Sequence, residues 1–319
     1  MKYLFDIAQH DIFEFEQLLN DIGLTIQADS DLERVSLAVI EANAKAHKEI
    51  LHDNSIDIRE FISDIAGIID FVKKILKHKN HPDFQQIIPH LELLNTASTA
   101  TLTSKSRVTD DGNNKLFELY IALLCMNFAT NICLDNPVNS KGNNPDLTFD
   151  FKGGKWAIAC KALHSDKGKT LYDAIEKGTE QVNRSSANKG IVIVNFKNII
   201  DRNKIWPLIN QEQFDNNNEN PLFACFSNIE QPLQILKTYI CESVQRLIDS
   251  IGVDNLIRLS ETKCQAGFLV FLHAVTSVQY NGECPPTILK LFNYVPFKPT
   301  QNEYIELIDK LNEAMHDRI

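Results

Sequence analysis

The sequence predicts an α/β protein: a mixed sheet flanked by helices at residues 106–280, preceded by an all-helical domain over 1–105 and followed by a helical extension over 281–319. Three observations lead there. Apolar residues in the first 105 positions recur at helical spacing, with almost no strand pattern. From residue 115 the pattern changes to helix, three short strands, helix and strand, the order of an α/β sandwich. A chain of 319 residues, 44% hydrophobic and 23% charged, is long enough for one large core or two ordinary ones.

The elements follow in order. Leu32, Val35, Leu37, Ala38, Ile40 and Ala44 are spaced for one buried stripe behind an Asp29-Ser30-Asp31 cap. Phe61, Ile65, Ile68, Val72 and Leu76 form a second, closed by His81-Pro82. Residues 96–114, TASTATLTSKSRVTDDGNN, are small and polar and read as a linker. A very apolar helix is expected over 115–129, a strand over 131–134, a Gly-Gly hairpin, an amphipathic helix over 170–185 and an apolar strand over 190–196. Beyond these, 203–210 and 231–251 read as helices, 266–278 as a strand, 300–319 as a terminal amphipathic helix, and DNNNEN at 215–220 as a loop.

Composition narrows the function. No apolar run approaches the ~20 residues a bilayer span requires, and Asp6, Asp11 and Glu14 interrupt the start of the chain before a signal-peptide core forms, so a cytoplasmic location is expected. Seven cysteines without CxxC spacing argue against a disulfide framework and a structural zinc site. The net charge of −10 is uneven. Residues 1–104 carry nine lysines and arginines against seventeen acids, whereas 151–195 carry eight against four. That basic island contains Lys152, Lys155, Lys167, Lys169, Lys177 and Arg184, the cations expected to meet a phosphate backbone.

The island sits on the stretch PDLTFDFKGGKWAIACKAL, residues 145–163. With Gly153 and Gly154 as the central pair of a type I′ turn, Asp146 lies opposite Lys161, Thr148 opposite Ala159 and Asp150 opposite Ala157, all on one face of a half-buried hairpin. Leu147, Phe149, Phe151, Trp156, Ile158 and Cys160 make the core-facing side. Position 159 is then a diagonal neighbour of Asp146, ~7 Å away. A carboxylate there would complete a hard-oxygen site for Mg²⁺, but alanine supplies no ligand.

Pro145-Asp146, followed after twelve residues by Ala159-Cys160-Lys161, resembles the signature of the PD-(D/E)XK nuclease superfamily, with alanine at the second acidic position. The resemblance covers about residues 110–200 and implies a restriction-endonuclease-like mixed sheet. It implies that Asp146 and the Cys160 carbonyl are metal ligands, that Glu118 on the preceding helix holds metal through water, and that Lys161 is the catalytic lysine. Gln181 matches a Gln or Lys of the following helix, and Ala159 marks the missing ligand. Mg²⁺, or Mn²⁺ in its place, would supply the nucleophile and absorb phosphorane charge. DNA is the expected substrate, in the manner of bacterial defence and restriction effectors. The acidic helical domain is expected to restrain the nuclease or to dock a partner protein such as a helicase or ATPase. The oligomeric state stays open.

Plainer readings stand beside these. Glu118 also fits an i,i+3 pair with Lys115, and Gln181 a solvated position bordering a buried stripe. Asp150 lies about 13 Å along the strand from Asp146 and is left out of the site, and His164 reads as an inert loop histidine. The retention of Asp146 and Lys161 favours a glutamate-to-alanine change that silenced a working enzyme. The alternative is a non-catalytic nucleic-acid-binding module.

Overall fold

The computed structural model describes residues 2–47, 59–95, 102–103, 111–138, 142–207, 224–299 and 302–316. The expected loop at 215–220 and most of the expected linker lie outside them. Helices α1 (Lys2–Asp21), α2 (Asp31–His47), α3 (Arg59–His78) and α4 (Ile88–Leu94) come first, with one 3₁₀ turn at Phe84–Ile87. Then follow α5 (Asp111–Cys125), β1 (Thr130–Leu134), β2 (Leu147–Phe151), β3 (Gly154–Ala162), α6 (Gly168–Arg184) and β4 (Lys189–Asn195). The chain closes with α7 (Arg202–Ile205), α8 (Glu230–Ile251), α9 (Val253–Leu259), β5 (Gly267–Ser277), β6 (Pro286–Pro296) and α10 (Asn302–His316).

The six strands form one mixed sheet in the order β1-β2-β3-β4-β5-β6. The first three are antiparallel, β3 to β5 run parallel, and β6 returns antiparallel along the whole of β5. Parallel neighbours need a crossover, and α6 provides it between β3 and β4. The sheet alternation divides the core in two. Leu147, Phe149, Trp156, Ile158, Ile193 and Phe271 pack against α1–α5 and α10, while Ala157, Ala159, Val192, Val194, Phe268 and Val270 pack against α6 and α8. The protein is thus α/β, a mixed sheet flanked by helices on both faces, and the buried residues of α1–α4 are continuous with those of α5.

Three expectations need correction. The hairpin turn is Lys152-Gly153, with φ of 49° and 73°, and Gly154 pairs with Phe151 inside the ladder. Every pair shifts by two residues: Thr148 faces Ala157, Asp150 faces Lys155, and the ladder ends at Leu147 opposite Ile158. Because the side-chain period is two, the shift leaves Thr148, Asp150 and Ala157 together on one face, as expected. Second, the face of β3 that bears Ala159 is covered by helix α6. Ala157 and Ala159 are fully buried, since small side chains let α6 lie close. Third, the stretch expected to open a helical extension forms edge strand β6, whose prolines bound it at both ends, where a missing N–H does no harm.

Among the described residues no helix is long and apolar enough to cross a membrane.

Candidate active site

Asp146 stands one residue before β2, where β2 and β3 separate. Its own N–H donates to the Ile158 carbonyl at 3.0 Å. The Cys160 N–H, which has no strand partner beyond this point, donates to Asp146 Oδ2 at 2.7 Å. The carboxylate therefore caps the ladder and is held rigidly, with 5% of its surface exposed. Lys161 Nζ lies 3.0 Å from the Cys160 carbonyl and 3.5 Å from Asp146 Oδ2. Its ammonium thus bridges the two oxygens that the sequence motif assigns to a metal.

Glu118 arrives from the other layer. Helix α5 packs Leu116, Phe117, Leu119 and Tyr120 into the core, and Glu118, 4% exposed, turns toward Asp146. Lys115, one turn earlier, donates to both Glu118 oxygens at 2.9 and 2.8 Å. The plainer i,i+3 pair and the expected site residue are the same side chain doing both things. His90 of α4 adds a contact to Glu118 Oε2 at 3.5 Å, so the amino-terminal helices reach the site directly.

Burial disfavours the charged form of both carboxyl groups. Burial first, and then the neighbouring Glu118, push Asp146 up to about 6, and burial raises Glu118 against the pull of Lys115. Burial and Lys115 push His90 down to about 4, leaving a neutral imidazole. For Lys115 burial opposes the charge, yet Glu118 beside it holds the pKa above its ordinary value.

Sequence reasoning placed Lys115 beside Glu118 but missed His90 and Asp135 as neighbours of the site. Asp135 continues the β1–β2 ladder beyond Leu134 and Leu147; its N–H donates to the Asp146 carbonyl at 2.9 Å. That register puts it opposite Asp146, on the side away from position 159. The signal was present in the turn-bounded strand before PD, but the β1–β2 register is set by a bulge between Thr130 and Cys133 that no pattern announces.

Gln181 is buried at 3% exposure on α6, not solvated, and donates to the Gly142 carbonyl at 2.9 Å in the loop leading to Asp146. Ala159 lies beneath Gly178, where an added Cβ would come 3.3 Å from Ala159 Cβ and 2.8 Å from Val192. A side chain at 159 therefore has no room to rise from the sheet. His164 contacts Asn198 at 3.3 Å, and Asp150 bonds Asn131 at 2.7 Å, away from the site.

The six cations of the basic island do not form one patch. Lys152 is ion-paired with Glu306 of α10, and Lys155 donates to Ser186 at 2.9 Å. Both are at the turn end of the hairpin, and Lys155 is about 20 Å along β3 from Lys161. Arg184 is tied to Glu180 and Asn143, each at 3.3 Å. Lys167, Lys169 and Lys177 are exposed on or just before α6, with no ion pair among the described residues.

No protein-family model matches the chain, and comparison with curated proteins and with solved structures gave no match. The functional reading therefore rests on the arrangement of the side chains. Asp146, Glu118 and the Cys160 carbonyl are hard oxygen donors of the kind Mg²⁺ takes. The buried Oδ2 of Asp135 and Oε1 of Gln181 have no hydrogen-bond partner among the described residues, which leaves further oxygen capacity in the surroundings. Among the described residues no three His, Cys, Asp or Glu side chains converge as a metal-binding group. The donors fit a divalent ion in kind, and Ala159 adds none.

Acidification from neutral pH to about pH 4.5 is expected to lower the melting temperature. Burial pushes His78 and His90 down to about 4 and His273 to about 3, against an ordinary value of 6.5. The unfolded chain takes up protons that the fold refuses, so stability is lost as pH falls through the window from about 6.5 to 4. Asp146 acts the other way, because a carboxyl raised to about 6 favours the folded state as pH falls below that value. Thermal melts of Asp146→Asn should therefore fall more steeply with acid than those of the parent; an equal slope would contradict this account.

Proposed function

We propose that the chain is a metal-dependent nuclease of the PD-(D/E)XK type acting on DNA, silenced at position 159. The observation that supports this most is the convergence of Glu118, Asp146 and Lys161. These residues come from α5, the head of β2 and the end of β3: the hairpin brings Asp146 and Lys161 together, and the packing of α5 on the sheet adds Glu118. The order helix, three antiparallel strands, helix and parallel strand agrees with the restriction-endonuclease-like arrangement that the motif implies.

A bound Mg²⁺ or Mn²⁺ would supply a nucleophile at neutral pH and positive charge at the reacting phosphate. The chain's own residues then have separate tasks. Asp146, fixed by the Cys160 amide, and the Cys160 carbonyl present oxygens in a rigid pair. Lys161 holds a proton-bearing ammonium at 3.0 Å from that carbonyl, where it would orient an attacking water. Glu118 adds the second carboxylate, and Gln181 fixes the approach loop at Gly142. A glutamate at 159 lies under Gly178, so it would reach Asp146 only along the sheet and not by rising from it.

Ala159→Glu is expected to nick supercoiled plasmid in the presence of Mg²⁺ or Mn²⁺, while the parent and Ala159→Glu/Asp146→Asn do not. Absence of cutting by Ala159→Glu with either metal, on double-stranded, single-stranded and RNA substrates, would end this reading.

A second reading is favoured by one observation: two carboxyl groups and two ammonium groups balance each other without any added ion. In that reading the chain is a non-catalytic module that binds nucleic acid, and glutamate at 159 gains nothing.

A further inference from the structure

We propose that Lys115 is a built-in counter-cation of this site, which a divalent ion must displace from Glu118 before it binds. The inference rests on the metal-site reading above and concerns a residue which that reading does not use.

The geometry is specific. Lys115 Nζ lies against both oxygens of Glu118, at 2.9 and 2.8 Å, and its side chain is only 14% exposed. An ammonium so placed occupies the side of the carboxylate that a cation would take. Both oxygens face the ammonium, so a second cation brought to Glu118 is repelled by the first and competes with it for the same negative charge. His90 closes another approach, at 3.5 Å from Oε2 with 1% of its side chain exposed. Asp146 and Asp135 also act on Lys115 through their charge, so the ammonium answers to three carboxylates rather than to one helix neighbour.

Lys161 is turned to other partners, its ammonium lying against the Cys160 carbonyl and Asp146, and it acts on Glu118 through charge alone. The two lysines therefore divide the site: Lys161 faces the position of the reacting water, and Lys115 faces Glu118. Buried carboxylates without a cation are costly. A lysine three residues from Glu118 on the same helix supplies one as soon as α5 forms. The consequence is a site that folds without metal and takes metal weakly. Removal of Lys115 should reverse both properties.

The test compares the full chain with Asp146→Asn, Lys115→Met, Lys115→Gln and Lys115→Met/Asp146→Asn, using MgCl₂ and MnCl₂ as probes. Calorimetry and thermal melts are the readouts. Lys115→Met is expected to bind Mn²⁺ at least about tenfold tighter than the parent. It should also melt lower than the parent, and millimolar Mn²⁺ should restore the melting temperature while KCl of equal ionic strength does not. Lys115→Gln keeps a hydrogen bond without charge and should fall between; it carries the comparison if the methionine variant does not fold. The Asp146→Asn combination should abolish the restoration. Unchanged Mn²⁺ affinity in both Lys115 variants, with binding to the parent still abolished by Asp146→Asn, would overturn the role of Lys115 and leave the metal site standing. Mn²⁺ binding that ignores Asp146 in every variant would overturn the metal site and this inference with it.

Discussion

Asp70→Ala is expected to destabilise the protein by about 3–5 kcal/mol, the cost of leaving buried charge without its counter-ion. Asp70, 7% exposed on α3, accepts from the Tyr120 hydroxyl at 2.9 Å and is ion-paired with Lys290 of β6. One turn along α3, Lys74 donates to the Ala314 and Met315 carbonyls at 3.1 and 3.4 Å, and Lys290 also reaches Met315 at 3.3 Å. Two ammonium groups thus close the carboxyl end of α10, where unpaired carbonyls and the helix dipole favour positive charge. One carboxylate balances them from below. His273 of β5 lies 3.8 Å from the same carboxylate, and burial keeps it neutral, so it brings no further cation.

The cluster joins α3, α5, β5, β6 and α10, and its removal would loosen the amino-terminal helices from the sheet. Tyr120→Phe removes one hydrogen bond and should cost only about 1 kcal/mol, because Lys290 still satisfies Asp70. Urea unfolding of the two variants measures the difference. A cost for Asp70→Ala no larger than that for Tyr120→Phe would show that the charges are solvated rather than paired.

What the sequence disclosed depended on how far each signal extends. The stripes of α2 and α3, the run Gly190 to Phe196 and the run Ala266 to Val278 were legible because burial fixes a period along a continuous segment. The observed β4 and β5 match those runs to within one residue at each end. Edge strand β6 was not legible: most of its residues are only partly buried, and prolines at both ends resemble loop punctuation. The hairpin was read two residues out of register because a Gly-Gly pair outweighed Lys152, which holds a positive φ at a cost of order 1 kcal/mol. The face was still right, since an even shift conserves it.

The candidate site divides in the same way. Asp146 and Lys161 share a hairpin, and Glu118 lies on the helix before it, so short-range order places them. His90 meets Glu118 only through the packing of a distant helix, and no local pattern carries that. Ala157 and Ala159 misled for a related reason. On a sheet face alanine fits solvent and a close helix equally well, and only Gly178 and Gly190, spaced for the approach of α6, recorded the difference.

Reversing Lys167, Lys169 and Lys177 together to glutamate is expected to weaken DNA binding by about two orders of magnitude near 0.1 M salt. The three are exposed and make no ion pair among the described residues, so their charge is available to a phosphate backbone. Lys167 and Lys169 follow Lys161 within eight residues, at the carboxyl end of β3, so this end of the sheet carries both the site and exposed positive charge. Removing one lysine–phosphate pairing should lower the slope of log affinity against log salt by about 0.9, so the triple variant should drop by about 2.7 if every lysine meets one phosphate. Lys152 and Lys155 provide the comparison. They sit at the far end of the hairpin, one held by Glu306 and the other by Ser186, and their reversal should change affinity and slope little. Fluorescence anisotropy over a salt series separates the outcomes. Equal weakening from the two sets would move the phosphate track toward the hairpin turn, away from Asp146. No weakening from either would leave the site without a path for its substrate, since a chain of net charge −10 holds a polyanion only where positive charge is concentrated.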